Sequence, residues 1–391
     1  MKFGLFYNPQ VPKPLGQKDW DADQERRIFS EMFEQVELAD RLGFDYVFLG
    51  EHHFTPEYAH NSSTEVLLGA LARSTKNIRL GTGIVHISHN DPIRTAERIA
   101  TIDVISDGRV EFGMGPGGPH EIAPFLGELD QDAIRRRAKE AAQIAVDVLS
   151  SPGRYPGAST EFFDIPPLNV QPKGLQKPHP PLWASTSSTA GVVDTALRGM
   201  GLLILTAGGA ADVAEKVELY WETLLSACTP VGQSVNPAVF SFANGIVAPT
   251  DELAEERARE GLEFFAYGLL GGSALGVSAE DFHLYQAFCD YKEGRGDARA
   301  FVPPFDFAQS PGHIVAGVDR ALQLVEQIEA THADAILFTQ QQGWTKHEHI
   351  MESIELIGTH IIPVIASRHD AHRSWRAEKL ASFGFPVHSS V

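Results

Sequence analysis

The sequence predicts an α/β fold, a (β/α)8 TIM barrel with insertions after β4 and its helix and before β8, on three observations. Strand-like and helix-like segments alternate along the chain, as expected where parallel strands are joined by crossover helices. Eight strand candidates follow one another in order, the number with which such a barrel closes. Histidines, glycines and hydroxyl residues gather just after the strands, where barrels of this kind carry their chemistry. A doubly wound open sheet shares the alternation, because alternation does not report closure.

The first strand, β1, is read at residues 2–7, and a helix with apolar Ile28, Met32, Val36, Leu38 and Ala39 follows and stops near Gly43, a natural C-cap. Residues 44–50 give β2. Ser62 or Ser63 caps a helix through Val66, Leu67 and Leu71, with Glu65 supporting its start. Residues 78–85 give β3, Pro92 opens a helix to about Ile105, and residues 109–114 give β4. A helix at 130–149 precedes a Pro/Gly-rich insertion at about 151–181 with one short strand. The remaining strands are β5 at 182–185, β6 at 202–205, β7 at 238–247 and β8 at 333–338. Helices are expected at 189–198, 210–225, 252–270, 318–330 and 347–362, with a second irregular insertion at about 271–312. Residues 1–366 are thus one barrel domain, and 367–391 a polar tail rich in His and Arg with no catalytic role.

Apolar residues at 43% and charged residues at 21% allow a large core without cross-links. The 32 basic against 51 acidic residues give a formal charge of −19, which repels nucleic acid and anionic membranes. Only Cys228 and Cys289 are present, in no CxxC spacing, which argues against a disulfide framework and for a reducing cytoplasm. The start lacks the pattern of a signal peptide, and no stretch approaches membrane-spanning length.

After β2 come Glu51, His52, His53 and Phe54; after β3 His86, Ile87, Ser88, His89 and Asn90; after β4 the run Gly115 to Glu121. Adjacent strand residues point to opposite sides, so one of His52 and His53 faces a pocket and the other packs behind it. A histidine there can hydrogen-bond an oxygenated species or move a proton near neutral pH. No metal site is expected, since no HxH or HExxH spacing supplies two ligands from one element. Gly115 lets a flat ring system approach the backbone. Ser185, Thr186, Ser187, Ser188 and Thr189 bring hydroxyls and free N–H groups to a helix start, which suits a phosphate. The rings of the second insertion, Phe282 and Phe288 among them, are candidates with His86 for an apolar substrate pocket or a lid, packing onto the barrel being the alternative.

The ordered blocks MKFGLF, FDYVFLGEHHF, RLGTGIVHISHNDPIRTAE, ISDGRVEFGMGPG and PLWASTSST resemble the bacterial luciferase-like flavin monooxygenases over most of the barrel. The resemblance implies that His52 is the catalytic histidine assisting a flavin C4a-peroxide, and that Gly83 and Ile84 are the strand-end pair supporting the isoalloxazine ring, often through a cis peptide. It puts Glu51 and Gly115 in the cofactor pocket and the flavin phosphate on Ser185 to Thr189. The sequence departs from luminous members at Pro116, where they carry a phosphate-binding arginine, and at Gly115, the position of their reactive cysteine. The resemblance therefore implies a non-luminous monooxygenase in which reduced FMN and O2 oxygenate a small organic substrate. With no nicotinamide fingerprint visible, an NAD(P)H:flavin reductase supplies the FMN. A homodimer is expected, and the alternatives are an F420-dependent hydride-transfer enzyme and a non-catalytic flavin-binding partner subunit.

Overall fold

The computed structural model describes residues 1–17, 19–55, 57–127, 130–205, 208–271, 283–295 and 312–388. Its centre is a closed ring of parallel strands: β1 (Lys2–Tyr7), β2 (Tyr46–Leu49), β3 (Arg79–Thr82), β4 (Val110–Gly115), β5 (Leu182–Ser185), β6 (Gly201–Leu205), β7 (Val239–Asn244) and β8 (Ala335–Thr339). The spatial order is β3-β2-β1-β8-β7-β6-β5-β4, and pairing of Leu80 with Val110 closes β3 onto β4. The expected (β/α)8 barrel is therefore the architecture, and the open-sheet alternative falls because this last pair leaves no edge.

Period-two alternation sorts each strand into two faces. Tyr46, Phe48, Trp183, Leu203, Phe240 and Leu337 join one buried cluster, and Val47, Leu49, Leu80, Leu202 and Ile336 join the cluster shared with the helices. The first set is crowded with rings, so small residues must make room. A Cβ on Gly81 would lie 2.2 Å from the Phe48 ring, and one on Gly201 2.5 Å from Trp183. Bulky side chains thus fill the strand cylinder, and chemistry is confined to its mouth.

The helices on the path to the site are α1 (Ala22–Arg41), α2 (Thr64–Ser74), α3 (Pro92–Ile105), α4 (Pro119–Leu126), α5 (Gln131–Ser150) and α6 (Thr189–Leu197). Asp91 accepts the N–H of Arg94 and Asp130 that of Ala133, fixing the starts of α3 and α5. Ser63 precedes α2 as expected but makes no side-chain cap bond. Sequence periodicity missed α4, because its Pro119 and Pro124 and flanking glycines read as a turn; Pro119 stands in its first turn, where no N–H is needed. The stretch expected as the end of β3 is a separate two-residue strand, Val85–His86, paired with Met114 and Gly115.

The chain continues through α7 (Gly209–Ala227), α8 (Asp251–Gly271), α9 (Leu284–Lys292), α10 (Val318–Glu329), α11 (His347–Leu356), α12 (Ile362–Ala366) and α13 (His369–Leu380). Helix α9 lies inside the insertion expected to be irregular. A π-helical turn, Ile357–Ile361, joins α11 to α12 into a helix of 20 residues that is long and apolar enough, by length and composition, to cross a membrane. The sequence expectation of no such stretch is corrected here, since it stopped the helix at Ile362 before Pro363. Ile350, Ile354, Ile357, Ile361 and Ile365 lie in the core cluster, so this helix packs its apolar stripe on the barrel. Residues 367–388 are docked too: the buried carboxylate of Asp334 accepts from His372 at 2.8 Å, from Arg376 and from the Val239 N–H at 2.8 Å.

Candidate active site

The side chains of the two histidines after β2 lead to two different carboxylates. Nδ1 of His52 donates to Oε1 of Glu121 at 3.1 Å, and the same oxygen accepts the backbone N–H of His53 at 2.8 Å. Burial opposes ionisation of Glu121, but the His52 bond, the electrostatic pull of the neighbouring His52 and His86 imidazoles and the His53 N–H outweigh it and hold the carboxyl at about 2. An ionised carboxylate only accepts, so Nδ1 of His52 carries a proton, and its Nε2 lies 3.3 Å from Nδ2 of Asn8. The His52 side chain is 26% exposed and Glu121 4%, so one end of the pair meets the opening and the other is anchored.

The His53 side chain leads to the other carboxylate. Its Nε2 lies 3.0 Å from Oε1 of Glu51, which also accepts from Asn90 at 3.3 Å. Arg98 in turn donates to Oδ1 of Asn90 and Oε1 of Glu65, both at 2.9 Å. Glu51 is 4% exposed, and burial raises its pKa, partly offset by His53. His86 stands between the two carboxylates, its ring 6.0 Å from that of His52 and 5.8 Å from that of His53. Burial drives its pKa down to about 3 and that of His89 to about 4, so both rings are neutral at physiological pH.

The sequence reading missed the carboxamides that end β1, β7 and β8. Gln342 donates to Oδ1 of Asn244 at 2.9 Å, Gln341 accepts the Gln10 N–H at 2.8 Å, and Oε1 of Gln10 accepts the Gly343 N–H at 2.6 Å. Among the described residues, Asn8 Oδ1 and Gln10 Nε2 are buried without a partner. Unsatisfied buried amide atoms are costly, and a flat ring carrying both donors and acceptors would satisfy them. The signal available was position: Asn8, Gln10 and the run Gln340 to Gln342 all follow strands.

The Gly83–Ile84 peptide is cis. Beside it on β4, Gly113 leaves no room for a side chain, since a Cβ there would lie 2.1 Å from the Thr82 carbonyl oxygen, and a Cβ on Gly115 would lie 2.2 Å from Cδ1 of Ile84, the end of a side chain that can turn. At the start of α6, Ser188 caps the Gly191 N–H at 3.2 Å and Thr186 Oγ1 accepts the Ser188 N–H at 3.2 Å. Ser185, Ser187, Ser188 and Thr189 are exposed, so one hydroxyl is committed to the cap and others face outward at a positive helix end.

Phe282 lies outside the described residues. Phe288 is 2% exposed and lies with Phe264, Tyr267 and Tyr285 in a cluster that includes Tyr58, whose ring is 5.8 Å from His52. The rings that do reach solvent near His53 are Phe54 and Phe125, 50% and 47% exposed and 5.4 Å apart, with Phe125 stacked on His89 at 4.2 Å. The strand ends thus present a positioned imidazole, half-exposed rings beside His53, amide atoms without partners among the described residues and a helix start bearing exposed hydroxyls.

A family model described as luciferase-like monooxygenase matches residues 1–335. The chain is 32% identical to limonene 1,2-monooxygenase of Rhodococcus erythropolis over 62% of this chain and 61% of that protein. It is 25% identical to the oxygenase component of the flavin-dependent trigonelline monooxygenase of Acinetobacter baylyi, over 68% and 71%. A 34% match to the uncharacterized protein y4wF of Sinorhizobium fredii covers 43% of this chain and 48% of that one, so the aligned part spans about half to three fifths of two of these relatives. Among solved structures, monooxygenase RslO1 of Streptomyces bottropensis superposes with a TM-score of 0.73 at 23% identity, covering 93% and 100% of the two chains. The oxygenating constituent of 3,6-diketocamphane monooxygenase of Pseudomonas putida, in complex with FMN, gives 0.69 at 18%, covering 93% and 98%. The F420-dependent tetrahydromethanopterin reductase of Methanopyrus kandleri gives 0.63 at 17%, covering 93% and 98%.

Proposed function

The chain belongs to the luciferase-like monooxygenase family, and from that premise we propose that it is an FMN-dependent monooxygenase that inserts one oxygen atom from O2 into a small, apolar organic substrate. The observation that carries this reading is the His52–Glu121 pair, an imidazole held by an ionised carboxylate at the edge of a mouth with unpaired buried amides. Reduced FMN, when bound, supplies the activation of O2.

The residues present fit that group. Asn8 Oδ1 and Gln10 Nε2 offer an acceptor and a donor to the polar edge of a flavin ring. Gly113 and Gly115 leave the backbone bare beside Ile84, the pair Gly83 and Ile84 supports the ring, and Ser185 to Thr189 take the phosphate. Nε2 of His52, on a ring oriented by Glu121, receives or returns a proton at the reacting centre. Phe54 and Phe125 form an apolar wall that favours an uncharged hydrocarbon-like substrate and excludes water from it. His86 and His89, both neutral, keep that wall uncharged.

Reduced FMN comes from a separate NAD(P)H:flavin reductase, a division supported by the relative named as an oxygenase component. The neighbouring helices α2 and α3 expose Val66, Val104 and Ile105, which supports a homodimer through this face. Both cysteines are free thiols, which fits a reducing cytoplasm. F420 in place of FMN is the second reading, supported by the fold-level likeness to F420 enzymes alone. Turnover with enzymatically reduced FMN, O2 and a cyclic terpene such as limonene tests the proposal. Oxygenated product that disappears in His52→Ala is expected; His52→Ala matching the parent in product yield would leave a non-catalytic flavin-binding subunit.

A further inference from the structure

We propose that Glu51, His53 and His86 form a binding site for one divalent transition-metal ion of the zinc class, beside the His52–Glu121 pair. One ligand atom from each of the three lies within 4.8 Å of the others. Glu51 Oε1 and His53 Nε2 are 3.0 Å apart, and Nε2 of His89 is 3.8 Å from the same oxygen. Bonds of about 2.0–2.1 Å in a tetrahedron give ligand-to-ligand edges of roughly 3.3 Å, so the Glu51–His53 edge is already close to that length. The third ligand needs to move by on the order of 1 Å.

Donor chemistry agrees with the geometry. Two imidazoles and a carboxylate make a borderline-soft set suited to zinc, with one coordination position left open. Among the described residues no Lys or Arg pairs directly with the buried carboxylate of Glu51; Arg98 reaches it only through Asn90. A cation between the three residues supplies that missing charge. His86 is 4% exposed and its Nδ1 is buried without a partner, a second sign that the ring is not committed to the protein's own hydrogen bonds. The Asn90 and Arg98 chain behind Glu51 fixes the carboxylate as outer partners do in metal sites. Glu51 and His53 are two apart after β2, the spacing that turns two side chains to one side of extended backbone. A search for HxH spacing passes over this carboxylate-histidine version.

The rival set, His52, His86 and Glu121, shares His86. Both carboxylates have two nitrogen partners, His53 and Asn90 on Glu51 and His52 and the His53 N–H on Glu121, so the variants below decide between the two sets. The test uses the full chain, freed of flavin and chelator-treated, titrated with Zn2+ by calorimetry and with Co2+ by visible ligand-field absorption. One tight equivalent is expected, with affinity falling about 10-fold or more in Glu51→Gln and in His86→Ala and changing less than about 3-fold in Glu121→Gln. X-ray absorption at the zinc edge of the unaltered protein covers variants that fail to fold, and two imidazoles with a carboxylate are expected in its first shell. The proposal is overturned by the absence of stoichiometric binding, by binding that Glu51→Gln and His86→Ala leave intact, by loss in Glu121→Gln, or by a sulfur ligand, which would place the ion on Cys228 or Cys289.

Discussion

Glu121 Oε1 bridges both histidines of the β2 end, taking the side chain of His52 at 3.1 Å and the main chain of His53 at 2.8 Å. One carboxylate from the first turn of α4 therefore sets both the orientation and the tautomer of the imidazole at the mouth. Replacing Glu121 by Gln keeps the shape and removes the charge, so Nδ1 of His52 no longer has an obligate acceptor. We expect kcat to drop by roughly 10–100-fold with FMN affinity nearly unchanged, and the pH profile of kcat to shift. Steady-state kinetics across pH, with flavin affinity measured separately, checks this; unchanged kcat and profile would remove Glu121 from the machinery.

Folding depends on pH through His86. It is neutral in the folded protein, with its pKa driven down to about 3 by burial, whereas the free imidazole titrates near 6.5. Below pH 6.5 the unfolded chain takes up a proton that the folded one refuses. Stability from this group is complete above about 6.5 and is lost as pH falls toward 3, with a slope approaching 1.4 kcal/mol per pH unit inside that window. Glu121 acts lower down: its depressed pKa contributes stability above about 4.5 that is lost between there and 2. Denaturant midpoints between pH 7 and 5 should decline in the parent and decline less in His86→Gln.

The barrel was legible because its signals are repetitive. Eight apolar runs with boundary signals such as Gly43, Ser63 and Pro92 report strands and helices locally, and their order reports the topology. Glu121 and the carboxamides were not legible as partners, because Glu121 meets His52 across 69 residues and Gln341 meets Gln10 across 331. Pairings of that span are decided by closure of the ring, which local periodicity does not encode. Phe288 was legible only as a choice between pocket and packing, because a ring in an irregular-looking insertion suits either; α9 carries it into a buried aromatic cluster.

Two glycines of β4 should separate folding from cofactor support. In Gly113→Ala the new Cβ meets the Thr82 carbonyl oxygen, a backbone atom that cannot yield cheaply, and a loss of about 1–3 kcal/mol is expected. In Gly115→Ala it meets only the end of the Ile84 side chain, which can rotate. Thermal melts and FMN titration should place the first variant as the less stable and the second as the weaker flavin binder.

Helix α9 is held by a carboxylate from the β2 loop. Glu57, fully buried, accepts the backbone N–H groups of Leu284, Tyr285 and Lys13, the last at 2.8 Å. Glu57→Gln leaves at least one of these donors unpaired, at a cost of about 1–3 kcal/mol. Limited proteolysis followed by mass spectrometry should find faster cleavage around α9 with the barrel intact, and equal cleavage rates would count against the anchor.

Binding of FMN at the mouth of this barrel, facing His52, is open to measurement without knowledge of the substrate. Anaerobic calorimetry of the purified chain against FMN, reduced FMN and F420 is the experiment. One equivalent of reduced FMN should bind with at least about tenfold preference over F420, a difference of about 1.4 kcal/mol. No uptake of FMN in either oxidation state, or tighter binding of F420, would refute it.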